Sequence, residues 1–353
     1  GGDMSGIFAT AADPSRPQVM MGQGPAPAAA TIEHFRSEGL DMVPGSGAPA
    51  AAVPGAVDSW FNLLEHHGTW ELADVLEFAI DYADNGHPIL ARAAGAIEKV
   101  SELFTEHWPT SVTQWMPEGS IPEAGELVFN HVYADVLRRL IAAGDGAATR
   151  EERIRAARKE WKSGYVAKAI ADFITTAHRH STGSDHAGVM TLEDISGFDA
   201  GFEDPVTIDF RGYQVAKIGA WGQGPALLQT LKILEGFDDD RLDPSTEIGA
   251  HTILEALKLA MADRDTYYGD ADVDLDWLLS DSYAASRREL ITEQASSEFR
   301  PGLGRDGAAP VFTTPLISEG ADKEALIKAG IGEPTVQKNG VNNGDTCHLD
   351  VVD

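Results

Sequence analysis

The stretch whose reading decides the fold is Asn342-Asn343-Gly344-Asp345-Thr346-Cys347-His348-Leu349-Asp350-Val351-Val352-Asp353. Asn-Asn-Gly-Asp is turn chemistry, because Asn and Asp bond their own backbone and Gly accepts a left-handed conformation. Leu349, Val351 and Val352 then begin a strand. A threonine at that junction can turn its hydroxyl on the preceding carbonyl, here that of Asp345. An N-to-O acyl shift followed by ester hydrolysis would leave Thr346 as a new N-terminus. Its α-amino group, with a pKa of about 7.7–8.0, could take the proton from its own hydroxyl. One residue would supply both nucleophile and base. Taken alone, the string more often marks an ordinary turn-to-strand threonine, so the chain upstream has to decide.

Upstream, helical periodicity dominates. Leu72, Val75, Leu76, Ala79, Ile80 and Ala83 recur on one face, and Asn85-Gly86 ends that helix. Ala93–Phe104 and Tyr133–Ala143 read as helices, and Glu151–Thr176 as one long helix anchored by Trp161, Tyr165 and Ile170. Thr191-Leu192-Glu193-Asp194 is a helix start. Pro205–Val215 reads as one or two strands about an Arg211-Gly212 turn. Pro225–Leu234 is a helix facing inward through Leu227, Leu228, Leu231 and Leu234. Ile253, Leu257, Ala260, Met261 and Arg264 mark another. Gly1–Ala9 reads as a strand, and the Gly/Pro/Ala-rich Val19–Thr31 suits a backbone crowded against something else. Ser296 to Asp345 is poor in periodicity and is expected to be a mobile linker. Mixed strands and helices without regular alternation predict an α+β fold.

Composition narrows the function. A chain of 353 residues that is 43% hydrophobic can build one large core or two smaller ones. A formal charge of −29 opposes binding to nucleic acid or to anionic membranes, which need clustered Lys and Arg. The sequence contains no apolar run of about 18 residues, the length a bilayer-spanning helix requires. Cys347 is the single cysteine, so no internal disulfide can form. That fits a reducing compartment, and equally an exported protein without disulfides; the cytoplasm is the first expectation, with periplasm or secretion left open. The chain opens Gly-Gly-Asp without Met, so its natural start is expected to lie upstream, with any export signal.

The ordered set of motifs resembles the gamma-glutamyltranspeptidase family from Gly1 to Asp353. Thr346-Cys347-His348-Leu349-Asp350-Val351-Val352-Asp353 is similar to the Thr-Thr-His-x-x-Val-x-Asp run that opens the family's small subunit, with Cys347 in second position. Pro54-Gly55-Ala56-Val57 with His67-Gly68-Thr69 resembles its Pro-Gly-x-Val…Tyr-Gly-Thr block. Ala79-Ile80 through Gly86 and Pro88 resembles its Ala-Ile-x-x-Ala-x-x-Gly-x-Pro helix. Thr191–Asp194, Pro205, Arg211-Gly212-Tyr213, Leu234-Glu235-Gly236-Phe237, Glu255–Arg264 and Gly269-Asp270 follow in the family's order.

The resemblance implies a four-layer αββα sandwich of the N-terminal nucleophile hydrolase type, incomplete in this chain. It implies self-cleavage between Asp345 and Thr346. Residues 1–345 would form the large-subunit portion, with 296–345 as linker, and 346–353 the start of a small subunit. Thr346 would attack an amide carbonyl and pass the acyl group to water or an amine. The partners would be a small γ-glutamyl or acyl amide and the chain's own small subunit; no metal or organic cofactor is implied. One departure bears on substrate. The family carries an Arg-Glu-x-Ala-Pro block whose Arg holds the glutamyl α-carboxylate. Aligning Ala26-Pro27 puts Gln23 in that Arg's place, and a neutral amide offers no charged fork. The chain therefore resembles the acylase-like branch. The small-subunit glycines of the oxyanion hole are expected beyond Asp353, which would leave this piece alone inactive.

Rival signals have plainer readings. Cys347-His348 are adjacent on a strand and point to opposite faces. His178, His180, His186 and Asp185 lie in a loop-like stretch without the tight pairs of a zinc site. Asp238-Asp239-Asp240 lacks the glycine and closing Glu of a calcium loop. Gly222-Gln223-Gly224-Pro225 lacks the Lys-Ser/Thr of a phosphate loop, and its glycines fit close packing. The alternatives kept open are an acylase-type amidohydrolase on a non-glutamyl amide, a non-catalytic proenzyme fragment and a solute-binding module on the same fold.

Overall fold

The computed structural model describes residues 3–40, 43–180 and 183–310. It is mixed helix and sheet, as expected, and divides into two compact units. Gly22–Ala200 belongs to the first unit, along with residues 3–4. Ser5–Met21 and residues 201–310 belong to the second. Thr346, Asp345, Cys347 and the rest of 311–353 lie outside the described residues.

The first unit is helical. Its main core joins the helices Ala56–His67, Leu72–Asn85, His131–Ala142 and Arg150–Ser163. Phe61, Leu72, Leu137, Leu140, Ile154 and Ala157 are buried there, with Leu76, Ala79, Ile80 and Trp161 packed against them. Each large side chain so buried contributes about 1.5–3 kcal/mol. Most of the expected apolar stripe on Leu72–Asn85 is thus the core face. Val75 is the exception: at 46% exposed it sits on the stripe's edge.

The long helix expected over Glu151–Thr176 is two helices, Arg150–Ser163 and Tyr165–Ile174, broken at Gly164. The break has a physical cause. Glu160 Oε1 accepts the backbone N–H of Tyr165, which starts the second helix. A Cβ at 164 would lie 2.5 Å from the Glu160 carbonyl oxygen, a backbone contact that favours glycine there. Tyr165, expected as a core anchor, is 45% exposed and stacks instead under the Arg139 guanidinium. Ile170 packs where expected, beside Ala167, Ile174, Met190 and Ile195.

The second unit carries the sheets. Strands Ser5–Thr10, Asp13–Met21 and Gly201–Glu203 form an antiparallel sheet, with Ile7 opposite Val19 and Met20 opposite Phe202. Of the one or two strands expected about Arg211-Gly212, two are present, Val206–Phe210 and Tyr213–Lys217, paired as a hairpin. Its two turn residues both take positive φ, 50° at Arg211 and 83° at Gly212, the requirement of a two-residue hairpin turn. Helices Gly224–Leu234, Glu247–Tyr267 and Asp281–Arg288 enclose Ile233, Leu234, Ala256, Leu259, Ala284 and Ile291. Leu228 and Leu234 face inward as expected, whereas Leu227 and Leu257 are 45% and 41% exposed.

Of the linker expected over 296–345, residues 296–310 are described, and they contain no helix or strand. Side chains of the helix Glu247–Tyr267 nevertheless strap them down. Glu255, 2% exposed, accepts from the Ser296 N–H and from Arg300. Asp263, fully buried, accepts from the Gly302 N–H and Gln229 and faces Arg287. Burial pushes the Asp263 carboxyl up against the pull of Arg287 and these hydrogen bonds.

Candidate functional site

The loop holding Gln23 lies in the first unit, and its backbone is pinned at three places. Gly22 exchanges two main-chain hydrogen bonds with Met4, at 3.0 and 3.1 Å. Pro25 C=O accepts the Val53 N–H at 2.9 Å. The Ala28 N–H donates to Asp194 Oδ1 at 3.0 Å. Between these points the loop lies directly on the backbone of Val53-Pro54-Gly55. A Cβ at Gly24 would sit 1.6 Å from the Val53 carbonyl oxygen, and one at Gly55 2.7 Å from Gly22 O. A Cβ at Gly22 would meet the Ser59 Cβ at 2.6 Å. These glycines are needed for close approach, which is the crowding expected of Val19–Thr31.

The loop exposes one chemically useful side chain. Gln23 is exposed, and no partner bonds its amide among the described residues. The main chain on either side of it is pinned while its amide has no partner among the described residues, which leaves the side chain available to a ligand.

The shelf beneath is held by charge. Helix Ala56–His67 starts at Gly55 and carries Asp58, 1% exposed. Asp58 takes a two-pronged contact from Arg158 and also accepts the Ala200 N–H at 2.7 Å. Asn62, one turn on, donates to the Ala200 carbonyl at 3.1 Å. The Asp58 bond holds the Arg158 guanidinium above its ordinary pKa despite partial burial. Arg158 and Asp199 approach at 3.4 Å, and Lys162 also pairs with Asp199.

Sequence reasoning missed the long-range bonds of this assembly. Asp194 was visible as the N3 residue of a helix start and as part of the family-like Thr191–Asp194 run. The box is present, with Thr191 Oγ1 accepting the Asp194 N–H and Asp194 Oδ2 accepting the Thr191 N–H. Its other oxygen holds Ala28, 166 positions away, and no local pattern announces that. Arg158 was hidden for the same reason.

The histidines come together as a pair. His178–Arg179 and Asp185–His186 form a short hairpin in which His180 Nε2 lies 2.5 Å from His186 Nδ1. His178 turns away to the Thr176 carbonyl, and His186 Nε2 faces Glu38. Burial, then the His186 charge, lowers the His180 pKa. Among the described residues no group of three or more His, Cys, Asp or Glu is arranged to hold a metal ion. Asp239 pairs with Arg211 at 3.0 Å. Gly222 and Gly224 pack against Ile218, the close packing expected of them. No described helix is long and apolar enough to cross a membrane.

A family model described as gamma-glutamyltranspeptidase matches residues 1–353. The chain is 33% identical over 276 residues to the glutathione hydrolase-like YwrD proenzyme of Bacillus subtilis (strain 168), covering 77% of this chain and 48% of that protein. The solved structure of LmbA2991HD is 41% identical with a TM-score of 0.82, over 88% of this chain and 52% of that one. The cephalosporin acylase of Bacillus halodurans is 29% identical with a TM-score of 0.72, over 85% and 52%. The chain spans about half the length of the curated relatives it matches.

Proposed function

The chain belongs to the gamma-glutamyltranspeptidase family, and from that membership we propose that it is part of a self-cleaving threonine amidohydrolase or acyltransferase. The observation that carries the reading is the Asp345-Thr346-Cys347-His348 run, which resembles the start of the family's small subunit, in a chain that the family model matches over residues 1–353. The proenzyme names of relatives support a processed precursor. In this reading the described units are the large-subunit share of a four-layer αββα sandwich, residues 1–345. The small subunit starts at Thr346.

Processing is written in two balanced steps. Thr346 Oγ adds to the Asp345 carbonyl carbon, and the Asp345–Thr346 C–N bond breaks. An ester forms and the Thr346 amine is freed. Water then hydrolyses the ester, leaving a carboxylate on Asp345 and restoring the hydroxyl. In turnover the amine takes the Oγ proton as Oγ attacks a substrate amide. The leaving amine departs protonated, and water or an acceptor amine takes the acyl group.

The donor reading follows from Gln23. A γ-glutamyl donor presents an α-carboxylate, and Gln23 offers it only a neutral amide. An acyl donor lacking that carboxylate fits better, and the similarity to a cephalosporin acylase supports this branch. The test is expression of the full-length precursor. It should split before Thr346; Thr346→Ser should split more slowly, and Thr346→Ala should stay one chain. Normal splitting of the alanine variant, read by intact mass, would sink the chemistry.

A further inference from the structure

We propose that Asp194 is a positioning residue for the acyl-donor site, acting through the Gln23 loop; this rests on the reading of that loop as substrate-facing. Its carboxylate does two jobs with two oxygens. Oδ2 takes the Thr191 N–H at 2.8 Å and the Thr191 hydroxyl at 2.9 Å, closing the cap of helix Leu192–Gly197. Oδ1 takes the Ala28 N–H at 3.0 Å, five residues beyond Gln23. A capping box satisfies the helix with one carboxylate oxygen, so the second is available for another segment.

The helix under Asp194 is itself fixed. Ile195 is buried beside Ala167, Ile174 and Met190. Asp194 therefore ties a packed helix to a loop in which Pro27 is buried and no side chain makes a hydrogen bond among the described residues. The other pins on that loop, at Gly22 and Pro25, are main-chain bonds on its N-terminal side or middle. Asp194 supplies the long-range side-chain bond on its C-terminal side, ahead of the helix Ile32–Ser37 with its buried Phe35. Burial raises its carboxyl, but bonds from Ala28 and Thr191 outweigh that and hold it below its ordinary value, so it is anionic at working pH. An anion accepting a backbone N–H makes a stronger bond than a neutral acceptor.

Asparagine at 194 keeps the shape and loses one acceptor. Its amide must present NH2 either to Thr191 or to Ala28, and both offer N–H donors. Thr191→Val removes the hydroxyl from the cap and leaves the Ala28 bond untouched, so it reports the merely structural effect.

The experiment uses the full-length processed protein with γ-glutamyl p-nitroanilide and glutaryl p-nitroanilide. Hydrogen exchange is followed over residues 22–30. Asp194→Asn is expected to raise exchange in the loop and to raise KM about tenfold, with kcat within about twofold. Thr191→Val should lower Tm comparably and leave both KM and loop exchange near the parent's. Gln23→Ala marks the loop's own contribution to KM. Unchanged loop exchange in Asp194→Asn overturns the tether. Unchanged KM in Asp194→Asn beside a raised KM in Gln23→Ala overturns its role in positioning. A loop that loosens while neither variant moves KM overturns the substrate-facing reading and the positioning role with it. If the precursor never splits, the processing chemistry has failed, and loop exchange alone then decides the tether.

Discussion

Asp58 and Arg158, 100 positions apart, form a two-pronged ion pair: Arg158 Nε lies 2.6 Å from Asp58 Oδ1 and Nη2 2.7 Å from Oδ2. The contact ties the start of helix Ala56–His67 to helix Arg150–Ser163, and through the Ala200 peptide it fixes the chain leaving the first unit. Its importance comes from desolvation. The Asp58 side chain is 2% exposed, so removing its partner strands a charge away from water.

Arg158→Ala is expected to cost about 3–5 kcal/mol, the range for breaking a buried pair by deleting one member. Arg158→Lys should fall between, since an ammonium keeps the charge and loses the fork. Denaturant unfolding of the three proteins checks this. A loss below about 1 kcal/mol for the alanine variant would place the pair with ordinary surface bridges.

Acid should loosen the strap over 296–300, where Glu255 holds Ser296 and Arg300. Burial raises the Glu255 carboxyl, but Lys258, the Ser296 N–H and Arg300 outweigh it and hold the group below its ordinary value. A depressed folded pKa means that the unfolded state binds the proton first as pH falls. The Glu255 contribution is therefore complete above the unfolded value of about 4.3 and is lost as pH drops through the lower folded one. Melting temperatures of the parent and Glu255→Gln, compared from pH 6 to pH 3, should differ most at the upper end and converge toward the lower. A gap that widens on acidification would show the sign to be wrong.

Elements were legible where local pattern and tertiary demand agree. Leu72–Asn85 announces itself because four of its six striped residues meet one core. The Arg211-Gly212 turn does so because few pairs tolerate two positive φ angles. Strand Asp13–Met21 was missed: Pro14 and Pro17 break the strand signature, and its pairing partners Ser5–Thr10 and Gly201–Glu203 supply the order instead. The break at Gly164 was missed because a helix-compatible pattern runs through it, and only Glu160 curling back shows why it stops. In the site, the close-packed glycines were legible from composition. The Asp58–Arg158 and Asp194–Ala28 bonds were not, because a contact between distant positions leaves no local periodicity.

Gln23 gives the sharpest test of donor choice. The loop backbone around it is fixed by Gly22, Pro25 and Ala28, and its own side chain is exposed. A longer side chain can therefore be introduced there without repacking a core. No arginine lies between Pro17 and Phe35, so a register shift of one or two residues in the family comparison supplies no alternative cation from this stretch. A charged hydrogen bond to a carboxylate contributes about 1.5–3 kcal/mol, against about 1 for a neutral one. Gln23→Arg should thus raise kcat/KM for γ-glutamyl p-nitroanilide about tenfold in the full-length processed protein. It should leave an acyl anilide without an α-carboxylate unchanged or slightly worse. The comparison of the two anilides is the decisive measurement, because a general change in the enzyme would move both. Equal effects on both, or efficient glutathione hydrolysis by the unmodified enzyme, would remove Gln23 from the donor site and return the α-carboxylate to another residue.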